Sequence, residues 1–399
     1  MSWEQKCLDE LGTISRGKSK HRPRNDPSLF KGQYPFIQTA DVKNANFYIT
    51  EYSQTYNEKG LAQSKLWKKG TLCITIAANI ADTGILGIDA CFPDSIMGFV
   101  PYADKSDVRY VKYCFDILQK QCQQISQGAT QDNLSWEKLS TIKFPTPPID
   151  VQKQIADILS AYDNLIENNQ KQIKLLEEAA QRLYKEWFVD LRFPGYENTP
   201  IIDGVPQGWN VRKLETFGEI ITGKTPSTAK ESYYNGDIPF VKIPDMHNTI
   251  YPIITESNLS EEGANTQKNK FIPKDSLMVS CIATVGLVNI SVQECQTNQQ
   301  INSIILNDVR DLYYLYFSTK GLKMLLDGVG SNGATMTNVN KSKFANIEIL
   351  YPTIELCEQF YDFCKPIFEK ILVLNKSTIE LKNSRDQLLP KLMNGELEV

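Results

Sequence analysis

From Val151 to Phe188 the chain holds neither glycine nor proline, and its apolar residues recur at steps of three and four. Val151, Ile155, Ile158, Tyr162, Leu165, Leu176, Ala179 and Leu183 form one stripe of a helix. A seven-spaced row of Leu159, Ile166, Ile173, Ala180 and Trp187 widens that stripe, as in a packed coil. Pro145, Pro147 and Pro148 bar helix upstream, and Asp150 is placed to cap it. At about 1.5 Å per residue the segment is a rod of roughly 57 Å. Asn169 and Gln172 interrupt the seam midway, where a buried polar residue sets register at some cost in stability. A second stripe follows Pro352, with Phe360, Phe363, Ile367, Ile371, Leu374, Leu381 and Leu388. Pro366 lies inside it and is expected to kink or restart the helix.

Outside the two rods the pattern changes. Short β-like runs, such as Phe36–Gln38 and Thr71–Ile76, alternate with Gly, Pro, Asn and Asp turn signals. Ile238–Ile243 and Ser276–Ile282 occupy corresponding places further on, and more helical stretches lie at 107–122 and 308–327. That mixture predicts a compact α+β unit before each rod: residues 1–146, a helical region 147–196, a second unit 197–351 and a second helical region 352–399.

The correspondence extends to individual residues. Gly128-Ala-Thr-Gln-Asp-Asn-Leu134 returns 205 positions later as Gly333-Ala-Thr-Met-Thr-Asn-Val339. Ile149, Gln154, Asp157 and Leu183 map at the same offset onto Ile354, Gln359, Asp362 and Leu388. Trp3, Leu8, Gly12 and Gly17 map onto Trp209, Leu214, Gly218 and Gly223 at 206. This is an internal duplication, and it predicts a pseudo-symmetric molecule suited to a nearly two-fold partner such as duplex DNA. A long stripe needs a long partner, which the duplicate supplies, and antiparallel pairing of the rods is the natural closed arrangement. The alternative is that each rod lies on the core of its own unit. The Gly-Ala-Thr motifs read as permissive turns between unit and rod, or as ligand loops.

Composition narrows the classes. With 399 residues, 41% hydrophobic and 23% charged, the chain has room for two or three soluble domains. No apolar run approaches the roughly 20 residues that span a bilayer, and the polar start Met-Ser-Trp-Glu-Gln-Lys lacks a signal-peptide core. Nine cysteines without a Cys-x-x-Cys pair predict reduced thiols and a cytoplasmic protein. Two histidines, His21 and His247, leave little for a zinc site or histidine-based catalysis. A net charge of −4 argues against gripping nucleic acid with the whole surface, and leaves local basic patches or partner subunits to do so.

Catalytic motifs are missing from the chain. It has no dinucleotide or Walker phosphate loop, no His-Glu-x-x-His and no Asn-Pro-Pro-aromatic run, so neither a catalytic site nor a metal site is expected. Pro93-Asp94 and Pro244-Asp245 lack a suitably placed acidic-x-Lys partner for a nuclease. Binding features are better represented. Arg16, Lys18, Lys20, Arg22 and Arg24 fall within nine residues without an acidic one, and Gly17 and Pro23 mark a loop. Such a loop neutralises phosphates, and arginine also reads guanine edges. Lys224 and Thr225 hold the matching place in the second copy, with Lys242, Lys268 and Lys270 as further DNA-binding candidates. For each the plainer reading is a solvated surface residue.

These residues carry a family resemblance. Val205-Pro-Gln-Gly-Trp209, Leu214 and Gly223-Lys-Thr-Pro-Ser227 resemble the opening of a target recognition domain in type I restriction–modification specificity subunits. Gly128–Gln131 and Pro147–Ile149, with Gln152, Gln154 and Ile155, resemble the passage from that domain into a helical region. Arg182–Phe188 and Arg385–Leu397 are similar to the ends of the central and C-terminal helices. The first copy departs from the pattern, with Gly17-Lys-Ser-Lys-His21 where the second has Gly-Lys-Thr-Pro-Ser.

The resemblance implies two pseudo-symmetric α+β target recognition domains separated by a long antiparallel two-helix coiled coil. It implies a non-catalytic subunit of a bacterial defence system without a cofactor of its own. Its partners would be double-stranded DNA with a bipartite target, two adenine-modifying subunits using S-adenosylmethionine, and restriction subunits using ATP and Mg. Two other classes stand beside it. A stand-alone DNA-modifying enzyme would act on DNA as the purified chain, and a coiled-coil scaffold would give an assembly that ignores DNA sequence.

Overall fold

The computed structural model describes residues 3–76, 82–126, 136–322 and 338–399, without side chains for 120–126 and 136–138. The Gly-Ala-Thr motif at 128–134 lies outside the described residues, as does its counterpart except for Asn338 and Val339. The chain folds as two compact units, Met1–Gln170 with Ser377–Val399, and Lys171–Lys376.

In the first unit a five-stranded sheet runs in the order Gly12–Arg16, Ile96–Pro101, Leu72–Thr75, Thr83–Leu86, Tyr48–Ile49. A four-stranded sheet carries Gln54–Tyr56, Phe30–Phe36, Ala90–Cys91 and Leu66–Trp67. A two-stranded ribbon pairs Glu4–Cys7 with Lys143–Thr146. The strand Leu72–Thr75 is buried throughout, because it lies inside its sheet and takes side chains on both faces. The helix Val108–Ser126 starts one residue later and ends four later than its pattern predicts.

The second unit repeats this plan. Gly218–Thr222, Ile301–Leu306, Leu277–Ser280 and Val288–Ile290 form its main sheet, and Asn258–Leu259, Tyr234–Val241 and Gln296–Thr297 its smaller one. The ribbon recurs as Asn210–Lys213 on Glu348–Tyr351. Of the helical stretch expected at 308–327, the described residues form a single turn at Val309–Asp311 and the helix Leu312–Gly321, and 323–327 lie outside the described residues.

Each unit contains pieces of both long helices. The central helix spans Ile149–Tyr184 and widens into a π turn at Lys185–Val189. Pro148, not Asp150, begins it: the Pro148 carbonyl accepts the first helical hydrogen bond, from Gln152 N–H at 3.0 Å. Proline serves there because the first-turn N–H groups have no helical partner to lose. The C-terminal helix is continuous from Ile354 to Met393, so Pro366 does not restart it. Phe360, Cys364, Phe368 and Ile371 bury the turns on either side of Pro366 in one core, which offsets the lost backbone bond.

The two helices pair. In the first unit Arg385 donates to Asp163, and Asn169 Nδ2 to Ser377 Oγ at 3.4 Å, so residue numbers rise on one helix as they fall on the other. That is antiparallel. In the second unit Tyr184, Trp187 and Phe188 pack around Phe360. Both expectations for the rods hold together, since Ile155, Ala156, Leu159 and Leu392 also belong to the first unit's core.

The phase of the seam differs from the expected one. The seven-spaced row is inward, with Leu159, Ile166 and Ala180 buried, whereas Ile158 is 38% and Leu165 51% exposed. Phe363 is likewise 49% exposed. The reason is a third partner: Tyr110, Tyr113 and Phe115 of the helix Val108–Ser126 share the core with Ile155, Ala156 and Leu159, which turns that face inward.

Candidate nucleic-acid interface

The edge strand of each main sheet ends at matching points, Arg16 and Thr222, and passes into glycine. Gly17 N–H donates to Ile96 O at 2.8 Å and Gly223 N–H to Ile301 O at 3.1 Å. Lys18 N–H then reaches Phe92 O, and Lys224 N–H reaches Thr297 O, both at 3.0 Å. A Cβ on Gly17 would lie 2.3 Å from Pro93 O, and one on Gly223 2.2 Å from Thr297 O. Only glycine lets the loop cross there.

Beyond Gly17 the loop displays its charge. Arg16, Lys18, Lys20, Arg22 and Arg24 are all exposed. Arg16, Lys18 and Lys20 carry no ion pair among the described residues. Arg22 Nη1 donates to Ser19 O at 2.7 Å and His21 O at 2.8 Å, which braces the loop without cancelling the charge. Arg24 is partly neutralised by Asp94, 2.8 Å away. His21 Nε2 lies 2.7 Å from Asp26. The Asp26 carboxyl is held down at about 2, first by the Ser28 N–H and then by the Ser28 and His21 side chains.

In the second unit Lys224 is exposed, and Thr225 Oγ1 donates to Gln299 Oε1 at 2.6 Å. Gln267 Nε2 donates to Lys224 O at 2.7 Å, which sets the turn Lys268–Lys270 beside this loop. Lys242 is committed to Glu256, at 3.1 Å, and to Ser257 Oγ, at 2.8 Å. In the first copy Arg16 thus ends the strand, and Lys18, Lys20, Arg22 and Arg24 share the loop that follows. In the second copy, Lys224, Thr225 and the Lys268–Lys270 turn come together, while Lys242 is held by its acid.

One residue of this surface escaped the sequence reading. Ser64 Oγ donates to Lys18 O at 2.7 Å, as Gln267 does to Lys224 O, and beside it Lys65 is exposed with its Nζ 3.5 Å over the Trp67 ring. Lys65 stands where Lys268 stands in the second copy. An isolated lysine carries no signal, and only alignment of the two copies would have found it.

Some of the buried polar atoms with unspent hydrogen-bonding capacity lie near these loops, Gln63 Nε2 and Asp94 Oδ1 in the first unit and Gln267 Oε1 and Thr297 Oγ1 in the second, while others such as Asn289 Oδ1 and Ser303 Oγ lie elsewhere. Cys7, Asp9 and Glu10 are the one metal-compatible grouping among the described residues. There Glu10 is occupied in accepting the Cys7 N–H at 2.7 Å. The arrangement in each unit is one of exposed cations and amides on braced loops, which suits phosphates and base edges.

Comparison with known proteins agrees with that chemistry. The family described as "Type I restriction modification DNA specificity domain" matches residues 1–178 and again 206–383. The HindI specificity subunit of Haemophilus influenzae is 31% identical, covering 97% of this chain and 98% of that protein. The MjaIX specificity subunit of Methanocaldococcus jannaschii is 28% identical, covering 100% and 94%. In fold, the S subunit of the M. genitalium type I system superposes with a TM-score of 0.62 at 15% identity, over 98% of this chain and 96% of that one. No helix among the described residues is long and apolar enough to cross a membrane. The duplicated sequence, the repeated fold and both family matches lead to one assignment: the chain belongs to the non-catalytic DNA specificity subunits of type I restriction–modification systems.

Proposed function

We propose that each copy reads one half of a bipartite DNA target for catalytic subunits that this chain recruits. The observation that carries the reading is the pair of matched loops after Gly17 and Gly223, built on one backbone plan but bearing different side chains. Equal scaffolds with unequal surfaces are what reading two different half-sites requires. The recognition domains are residues 1–146 and 197–351, with helical regions 147–196 and 352–399. Arg16, Lys18, Lys20, Arg22 and Arg24 serve the first half-site; Lys224, Thr225, Lys268 and Lys270 serve the second. Lys242 joins them only where DNA displaces Glu256.

The helical pair sets the gap between the halves and docks two modification subunits, with restriction subunits completing the nuclease. The exposed Ile158 and Leu165 in one unit and Phe363 in the other support docking. Ile158 and Phe363 stand 205 positions apart, the offset of the duplication, so two like partners meet like surfaces. S-adenosylmethionine, ATP and Mg belong to those partners.

The test is methylation of a library of bipartite targets by the assembled complex carrying Arg22→Ala or Arg24→Ala. Loss of discrimination, about tenfold, is expected in one half-site only. Unchanged methylation of every site variant would show the loop to be passive. Methylation by the purified chain alone would instead establish a stand-alone enzyme.

A further inference from the structure

Both copies carry the same irregularity in the same strand. The strand Phe30–Phe36 loses register with Gln54–Tyr56 between Phe30 and Tyr34, and Tyr234–Val241 loses register with Asn258–Leu259 between Tyr234 and Ile238. At each bulge one residue adopts a left-handed backbone, Lys31 at φ 63° and Asn235 at φ 62°. Side chains other than Asn and Asp avoid this region, so at Lys31 the conformation must be imposed by its surroundings.

The surroundings do impose it. A Cβ on Gly32 would lie 2.3 Å from Asn57 Cα, and one on Gly236 2.5 Å from Ser260 Cα. Asn57 and Ser260 cap the short helices that follow and hold the strand from the other side. Asn57 N–H donates to Leu29 O at 2.9 Å and Ser260 N–H to Tyr233 O at 3.0 Å. Elsewhere the copies meet a left-handed turn differently: before their central strands, Gly70 in one answers to Asp275 in the other. Among the described residues, the bulge is the matched left-handed position where neither copy uses glycine. A side chain is retained there in both, at Lys31 against backbone preference and at Asn235 by a residue that tolerates it.

Lys31 and Asn235 are exposed, and neither has a side-chain partner among the described residues. Lys31 also borders a cleft of about 490 Å³ shared with Arg24, Asn25, Gln38 and Gln54. In the first unit the bulge and the basic loop therefore border one cleft, whose lining also includes Phe30, Phe36 and Pro93.

We propose that this bulge is a base-reading position in each recognition unit, with Lys31 and Asn235 as specificity-determining residues. The inference rests on the reading that these units recognise DNA. A lysine ammonium offers only donors and fits the O6 and N7 acceptors of guanine. An asparagine amide offers donor and acceptor together and fits the N6 and N7 of adenine. The first unit therefore reads a guanine at this position and the second an adenine. Bulges suit the task because they re-aim a side chain out of the pleat.

The experiment is methylation of a randomised bipartite library by the full complex, comparing the parent with Lys31→Asn and Asn235→Lys. Asparagine suits the left-handed region, so Lys31→Asn keeps the fold, and Lys31→Gly removes the side chain without straining the backbone. Lys31→Asn is expected to move one position of one half-site from guanine towards adenine by about tenfold or more, leaving the other half-site unchanged. Lys31→Gly is expected to abolish preference at that position alone. A uniform drop across all library members, with base preferences retained, would overturn the proposal and make Lys31 a phosphate contact. A parent complex without base preference in either half would instead sink the underlying reading of DNA recognition.

Discussion

Asp311 is buried in the second unit, and the Tyr351 hydroxyl donates to its carboxylate at 2.6 Å. Burial raises this carboxyl above its ordinary 3.8, outweighing the Tyr351 hydrogen bond that lowers it. An acid raised in the folded state binds its proton more tightly folded than unfolded. Its contribution to stability is therefore present below the ordinary carboxyl range and lost as pH rises through the folded value. Asp311→Asn removes that dependence, so the variant should melt above the parent at pH 7, with the gap closing towards about pH 4. A constant gap across that window, followed by thermal melts, would assign the effect to packing. Residues of this kind mark the limit of sequence reading at this scale. The charge on Arg24 or Lys242 was plain, but Asp94 and Glu256, which hold them, lie 70 and 14 positions away in sequence and are identified only by folding.

At the scale of elements, ionic fastenings hold the helices in phase. Asp163 is almost fully buried, receives the Tyr113 hydroxyl and the Arg385 guanidinium, and so joins the domain helix, the central helix and the C-terminal helix in one cluster. Arg385→Met would leave a buried carboxylate without its cation, at about 3 kcal/mol. Chemical denaturation of the first unit should show that loss, and an unchanged midpoint would refute the clamp. A second fastening is duplicated. Arg109 grips Asp107 and reaches Asp157 at 2.7 Å, while Arg310 grips Asp308 and reaches Glu358 at 2.8 Å. Each ties the start of a domain helix to a long helix. The stripes on the long helices were legible because 3.6-residue periodicity is local. Which of two adjacent rows faces inward was not, because Ile158 and Leu159 differ only in what packs beside them.

At the scale of the whole molecule, the duplication has a mechanical consequence. Removing one heptad from both long helices shortens each by about 10 Å, or about three base pairs at 3.4 Å each. The complex should then accept a correspondingly different gap between half-sites, measured by methylation of targets with graded spacers. A variant that assembles and keeps the parent spacing would show that the helices are not the ruler.

The duplication, the α+β character of each unit, the two long helices and the basic loop were all written in the sequence. Each depends on repetition, periodicity or composition, which act over short range or can be compared directly along the chain. The inward row of each helix, the partners of the buried charges and the left-handed bulge at Lys31 and Asn235 emerged only with tertiary structure. They depend on which distant segments meet, and neither local preference nor residue spacing encodes that meeting. A lysine forced into left-handed backbone is invisible until the neighbour that forces it is in place.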